Sequence, residues 1–303
     1  MNSQKQVELE ASLFPKLRAM LEPCTIPIIL HDKASGELRQ HGTGTLLRIA
    51  DVHLIITAHH VVDDEWRLQN MLFIGDHVSN GPAIPLSGAS LVQWDIDDGN
   101  VRALRAQTLD VAAIELQTSI VSQLSHRTFV NLSQLDVSMK VAPGRFLLFG
   151  YPSHGSTPDS ANRHLRCGPS LAYSTELYRG PTSSFGNYDP RLHVLFPLPI
   201  KGAIALQPAG PRPEKIQGVS GCSIWRTVPL GQDCRTWDVA DAKIVAVQSS
   251  EYGSKKVVKA VKCLAVVALL WARYRELRRI IEISHPNLMN HLRQFDIETR
   301  RLQ

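Results

Sequence analysis

An all-β fold framed by helical segments at both ends is predicted by three features of the 303-residue sequence. Short apolar runs bounded by turn residues recur from Thr25 onward, which is the pattern of many short strands in a β-sandwich or a pair of barrels. Before them, Leu13, Leu17 and Leu21 fall at helical spacing among charged residues, with Pro15 starting or interrupting that helix. After Val257 the pattern turns helical again, with Leu264, Val267, Leu270, Trp271 and Tyr274 on one face.

Taken in order, the expected strands are Ile26 to Leu30, Gly44 to Ile49, Leu54 to Thr57, Met71 to Ile74, Val111 to Leu116, Phe146 to Phe149, His193 to Phe196 and Ile244 to Val247. Gly155 to Asp189 is the stretch richest in Gly, Ser and Pro and is expected to form long surface loops. Arg273, Arg275, Arg278 and Arg279 are expected on the solvated face of the first terminal helix. Pro286 fits the first turn of a last helix, with Ser284 as its cap and Leu288, Leu292 and Phe295 as its apolar stripe. The organisation expected is an N-terminal helical extension over 1–24, a main domain over 25–283 and a C-terminal amphipathic helix over 284–303.

Composition narrows the function classes. Hydrophobic residues make up 44% and charged residues 20%, an ordinary globular balance with ample material for a core. A net charge of +5 is too small for this length to imply nucleic acid without a localised basic patch. Five cysteines, scattered and without a CxxC pair, argue for reduced thiols rather than a disulfide framework. Met1 to Glu10 is polar and unlike a signal peptide, and the longest apolar run, Leu264 to Ala272, is far short of the roughly 20 residues of a membrane span. A cytoplasmic protein without membrane attachment is expected. Asp95, Asp97 and Asp98 before Gly99 read as an acidic turn, since no Glu follows at calcium-loop spacing. No zinc spacing or phosphate-binding glycine loop is evident, and no cofactor is expected.

Three motifs carry chemistry. Acyl transfer by a hydroxyl needs a nucleophile, a base to take its proton, a carboxylate to orient the base, and backbone N–H donors for the oxyanion. Thr57-Ala58-His59-His60-Val61-Val62 directly follows an apolar strand, and the strand upstream carries Gly42-Thr43-Gly44-Thr45. Alone, its histidines read equally as a surface pair or as a metal site with His53 and His59. Leu109-Asp110-Val111-Ala112-Ala113-Ile114-Glu115-Leu116 places an acid at the start of a strand. Gly218-Val219-Ser220-Gly221-Cys222-Ser223-Ile224-Trp225 places a serine between glycines, ahead of another apolar run.

Together these motifs resemble the chymotrypsin-fold, trypsin-like serine proteases, and specifically the intracellular bacterial type. The chain order His, Asp, Ser is that of this class and differs from subtilisin and the α/β-hydrolases. The resemblance covers roughly Ile26 to Arg279. It implies a double six-stranded β-barrel with His60 as base, Asp110 as orienting acid and Ser220 as nucleophile. The N–H groups of Gly218 and Ser220 would form the oxyanion hole. Glu214, Gln217, Gln248 and Ser249 fall where the family binds substrate, and an acid at Glu214 would favour Lys or Arg at the cleavage position. The chain lacks a signal-peptide pattern, and its terminal helices are not part of the family pattern and could dock a partner. These features add the expectation of a dedicated processing protease that cuts one or a few partner proteins, for example in a bacterial stress or antiviral pathway, with regulation by a partner protein.

Two departures keep a second function open. Val219 stands where zymogen-activated members have an Asp that pairs with a new N-terminus, so activation by trimming is not expected. Cys222 replaces the second glycine of the nucleophile motif and either reshapes the loop or packs inward as a small hydrophobe. The first outcome would make the chain a silent pseudoprotease that binds proteins; a Cys222 nucleophile is the sharper alternative to Ser220.

Overall fold

The computed structural model describes residues 13–32, 36–62, 72–74, 84–93, 109–154, 156–159, 164–168, 170–198, 216–229 and 237–293. Met71, Asp95, Asp97, Asp98, Glu214 and Phe295, all singled out above, lie outside the described residues, as does Cys234, one of the five cysteines.

Two antiparallel sheets make the architecture, as the all-β expectation requires. The first has seven strands: β1 (Thr25–His31), β2 (Leu38–Ile49), β3 (Val52–Thr57), β4 (Leu72–Ile74), β5 (Ile84–Pro85), β6 (Ser90–Val92) and β7 (Ala112–Glu115), in the order β5-β4-β1-β2-β3-β7-β6. The two-residue edge strand β5 takes this sheet past six strands. A short ribbon follows, made of β9 (Thr157–Asp159) and β10 (His164–Arg166). The second sheet has six strands, β8 (Gly144–Gly150), β11 (Leu171–Thr175), β12 (His193–Pro197), β13 (Ser223–Pro229), β14 (Lys243–Tyr252) and β15 (Val257–Lys262), in the order β11-β8-β13-β14-β15-β12.

Side chains of period two divide each sheet between two cores. In the first sheet Ile26, Ile28, Leu46, Ile55, Ala112 and Ile114 pack together on one face. The alternate residues Leu47, Leu54, Ile56 and Ala113 join a larger cluster that also takes Leu147, Phe149, Trp225, Ile244 and Val247 from the second sheet. Phe146, Leu148, Ile224, Ala246, Val258 and Ala260 form the second sheet's own core. Both faces are therefore covered, so the strands read as continuous apolar runs instead of alternating ones.

Burial on both faces also explains where the sequence reading fails. Val257–Lys262 is a strand, hydrogen-bonded to β14 on one side and β12 on the other, and the helix begins only at Cys263. Every residue from Cys263 to Leu270 is buried, so this helix sits in the core and has no polar face until Trp271. Its end is tied to the first sheet: the Arg273 guanidinium donates to the Gln93 carbonyl at 3.1 Å and the Tyr274 hydroxyl donates to Glu115 at 2.7 Å. Ser284 is the last residue of helix Arg278–Ser284, not a cap, and Pro286 lies in a turn before helix 288–293. Three strands, β9, β10 and β11, fall in the stretch expected to hold surface loops. Helix 13–21 contains Pro15 and buries Phe14, Leu17 and Leu21 in the large cluster. Among the described residues no helix is long and apolar enough to cross a membrane.

The small residues of β2 have a packing reason. A Cβ on Gly44 would sit 2.4 Å from Ile55 Cγ2, and one on Gly42 would sit 2.6 Å from Val61 Cγ1. Glycine thus lets β3 and the turn His59–Val62 close onto β2. Gly44→Val is expected to overpack this contact and cost about 1–3 kcal/mol, read as a lowered midpoint of chemical unfolding at an unchanged slope.

Candidate active site

His60 lies in the single helical turn His59–Val62 that follows β3, and Asp110 precedes β7, the strand paired with β3. That pairing brings them together across fifty residues of sequence (110 − 60). The His60 backbone N–H donates to Asp110 Oδ1 at 2.9 Å, and His60 Nδ1 lies 2.7 Å from Asp110 Oδ2. An ionised carboxylate only accepts, so Nδ1 carries the ring proton and the basic lone pair is at Nε2. The other histidines go elsewhere. His59 Nε2 pairs with the Gln93 amide oxygen at 2.8 Å, and the His53 ring packs edge-on to Phe129 at 4.9 Å. Among the described residues no three metal-ligating side chains converge.

Ser220 sits on two consecutive turns. The Val219 N–H donates to the Ile216 carbonyl at 3.1 Å, and the Cys222 N–H donates to the Val219 carbonyl at 3.0 Å. Each turn has glycine at its third position, Gly218 at φ 86° and Gly221 at φ 87°, where a type II turn needs φ above zero. Space excludes a side chain as well. A Cβ on Gly218 would meet Ser153 N at 2.5 Å, and one on Gly221 would meet Thr57 Oγ1 at 2.1 Å and the Thr43 carbonyl at 2.3 Å.

These turns also aim the backbone amides. The Gln217 carbonyl accepts from the Ser153 N–H at 2.7 Å and the Ser153 hydroxyl at 3.1 Å. In a trans peptide C=O and N–H point in opposite directions, so this anchor turns the Gly218 N–H away from Ser153. The Val219 carbonyl, held by Cys222, turns the Ser220 N–H in the same manner. Neither the Gly218 nor the Ser220 N–H finds an acceptor among the described residues. Two amides flanking Val219, both without acceptors among the described residues, are what an oxyanion site requires.

The nucleophile turn is fastened to the first sheet through Thr43, which the sequence reading counted only as a small residue of the glycine-rich strand. The Thr43 N–H donates to the Ser220 carbonyl at 2.8 Å and its hydroxyl donates to the Gly218 carbonyl at 2.9 Å. That hydroxyl also accepts from the Tyr151 N–H at 3.0 Å. Thr57, two residues before His59, donates its hydroxyl to the Thr43 carbonyl at 2.8 Å. The Ser220 turn therefore abuts the residues that lead into His60. The Ser220 hydroxyl itself makes no hydrogen bond to His60 among the described residues; nucleophile–base bonds are often loose before substrate binds.

Cys222 packs inward. It is fully buried, a Cβ on Gly150 would lie 2.8 Å from its Cβ, and burial pushes its thiol well above the usual range. Such a thiol is inert as a nucleophile. Val219 is likewise buried, beside Gly150. Of the residues expected to touch substrate, Gln217 is exposed and contributes the carbonyl held by Ser153. Gln248 is buried and docks β14 on the nucleophile turn: its N–H donates to the Cys222 carbonyl and its carbonyl accepts from Gly221, both at 2.9 Å. Beyond Val247, β14 has no strand partner on the β13 side among the described residues, leaving an edge from Ser249 to Tyr252 that follows directly on Gln248. Ser249 is buried and donates its hydroxyl to the Lys259 carbonyl at 3.2 Å.

No family model and no curated protein matches the sequence. Solved structures similar in fold include the inactive form of the protease Rv3671c, at 14% identity and a TM-score of 0.47, over 86% of this chain and 94% of that one. The active form of Rv3671c from M. tuberculosis matches at 15% identity and a TM-score of 0.47, over 84% of this chain and 82% of that one. A structure from work on coupled folding and binding of the Sesbania mosaic virus VPg protein matches at 14% identity and a TM-score of 0.40, over 82% of this chain and 88% of that one.

Replacing Thr43 by valine keeps the shape and removes the hydroxyl, leaving the buried Gly218 carbonyl and Tyr151 N–H without that partner. Thr43→Val is expected to cost about 1–3 kcal/mol of stability and to speed hydrogen exchange across 216–222, measured by unfolding and mass spectrometry.

Proposed function

We propose that the chain is a serine endopeptidase acting through His60, Asp110 and Ser220. The observation that carries the reading is the doubly hydrogen-bonded His60–Asp110 pair beside a serine turn whose Gly218 and Ser220 amides have no acceptor among the described residues. In this mechanism Ser220 Oγ attacks a peptide carbonyl while His60 Nε2 takes its proton. Asp110 holds the ring tautomer and stabilises the imidazolium. The oxyanion accepts from Gly218 N–H and Ser220 N–H, each such donor contributing about 3 kcal/mol to the transition state. His60 then protonates the leaving amine, and water, activated by His60, releases the acyl group from Ser220. The substrate strand lies along the free edge of β14, taking main-chain hydrogen bonds from Ser249 to Tyr252. One or a few partner proteins in a bacterial stress or antiviral pathway are the substrates of this reading, with a partner protein gating activity. Among the described residues Cys24, Cys167, Cys222 and Cys263 form no disulfide.

A pseudoprotease that binds proteins is the second reading, and one observation favours it: the Ser220 hydroxyl lacks a bond to His60. The inward packing of Cys222 weighs against it, since the substituted residue stays out of the turn's open side.

A fluorophosphonate probe separates the two. The protease reading expects covalent labelling of wild type, its abolition in Ser220→Ala, and a fall of roughly 10³-fold or more in rate in His60→Ala. Asp110→Asn is expected to slow labelling by up to roughly 10⁴-fold through the wrong ring tautomer. Unlabelled wild type, with and without cell lysate, would favour the binding module.

A further inference from the structure

Lys259 is a buried cation beside the candidate site, only 6% exposed. Its position in β15 fixes its direction. It pairs across to Leu195 in β12, and directly opposite residues of an antiparallel pair share a face. Val257, two residues earlier, shares that face too. Leu195 and Val257 pack with Phe185, whereas Val258 and Ala260 pack into the second sheet's own core. Lys259 therefore points out of that core, toward the segment 178–189, where its ammonium donates to the Asn187 carbonyl at 3.3 Å.

That segment is clamped along the β14–β15 hairpin. The Tyr178 N–H donates to the Leu195 carbonyl at 2.9 Å, the Tyr252 hydroxyl to the Gly186 carbonyl, and the Lys255 ammonium to the Ser184 carbonyl. Lys255 also lies 4.4 Å from the centre of the Phe185 ring. The packing under this segment is thus apolar, with a buried cation inside it. At the Lys259 backbone it meets the site, because Ser249, next to the residue docked on the nucleophile turn, bonds the Lys259 carbonyl.

The ammonium is poorly satisfied. Its three donors have one recorded partner, the Asn187 carbonyl at 3.3 Å, and no carboxylate pairs with it among the described residues. Asp189 in the same segment is held by Arg191 at 2.5 Å, and both Asp110 oxygens are engaged by His60. Burial lowers the Lys259 pKa, and the Asp110 charge works against that, so the ammonium feels the site's acid without bonding it. Lys262 in the same strand contrasts with it: its ammonium is capped by the Met139 and Pro190 carbonyls at 2.7 and 2.6 Å. A buried cation with an incomplete donor set beside a cleavage site favours an anionic group supplied by the substrate.

We propose that Lys259 selects an acidic side chain, Asp or Glu, on the residue whose carbonyl is attacked, by pairing with its carboxylate beneath segment 178–189. This rests on the protease reading above and deepens it, and its charge sense is opposite to that expected from Glu214. Lys259 is here a specificity-determining residue and takes no part in the bond-breaking step.

The test uses full-length protein and peptides differing only at that residue, as Glu, Gln, Leu or Lys. Wild type is expected to show kcat/KM for Glu at least about ten-fold above Gln, with Lys poorest. In Lys259→Met the Glu-to-Gln ratio is expected to fall to about one, and in Lys259→Glu the Lys peptide is expected to overtake Glu. A residue that only supports the fold would alter stability and leave the ratio unchanged. Wild type that a fluorophosphonate labels but that prefers Gln, Leu or Lys would overturn the assignment and leave the protease reading standing. A Lys259→Met protein that keeps the acidic preference would do the same. Wild type that is neither labelled nor active on any peptide would remove both.

Discussion

Thr43 commits all of its polar groups to holding the nucleophile turn against the first sheet. Its N–H takes the Ser220 carbonyl, its hydroxyl takes the Gly218 carbonyl and the Tyr151 N–H, and its carbonyl takes the Thr57 hydroxyl. A hydroxyl is the smallest side-chain group that donates and accepts at once, which is what this junction demands. The residue is fully buried, so each of these bonds would otherwise be a polar group left without water. Because Thr57 leads into His60 while Thr43 grips Ser220, one contact sets the separation between the segments that carry the proposed base and nucleophile.

The glycines follow from that junction. Gly221 has to pass against Thr57 and the Thr43 carbonyl, and Gly42 has to admit Val61, so the chain closes with backbone where side chains would collide. Gly218 and Gly221 additionally supply the positive φ of the two turns, around which the Gly218 and Ser220 amides have no acceptor among the described residues. Gly150 makes room for Cys222 on the far side of the turn. The substitution that looked most damaging in the sequence is thereby absorbed by the core, where a thiol behaves as a small apolar group.

What was legible in the sequence depended on how local the constraint is. The His60, Asp110 and Ser220 motifs stand out because each needs particular neighbours within a few residues: a glycine-spaced turn, a strand start, a helical turn after a strand. Their meeting depends on strand pairing, and β3 with β7 supplies it for His60 and Asp110. Val257–Lys262 misread as the start of a helix because a strand buried on both faces loses its alternation. Within 155–189 the loop expected is found at 176–189, but β9, β10 and β11 were missed because Gly, Ser and Pro there separate short strands. Thr43 and Lys259 were invisible for another reason. A threonine in a glycine-rich strand and a lysine in an apolar strand are ordinary residue types, and only the distant segments packed against them reveal what they hold.

The central claim is that the 216–222 turn presents Ser220 beneath two amides aimed at one oxyanion. A crystal structure of the protein treated with diisopropyl fluorophosphate tests this most directly. The account predicts phosphorus on Ser220 Oγ and a phosphoryl oxygen within about 2.7–3.1 Å of both the Gly218 and Ser220 nitrogens. An unmodified Ser220, or an adduct whose oxygen meets neither amide because the Gln217–Gly218 peptide has left its anchor on Ser153, would contradict it.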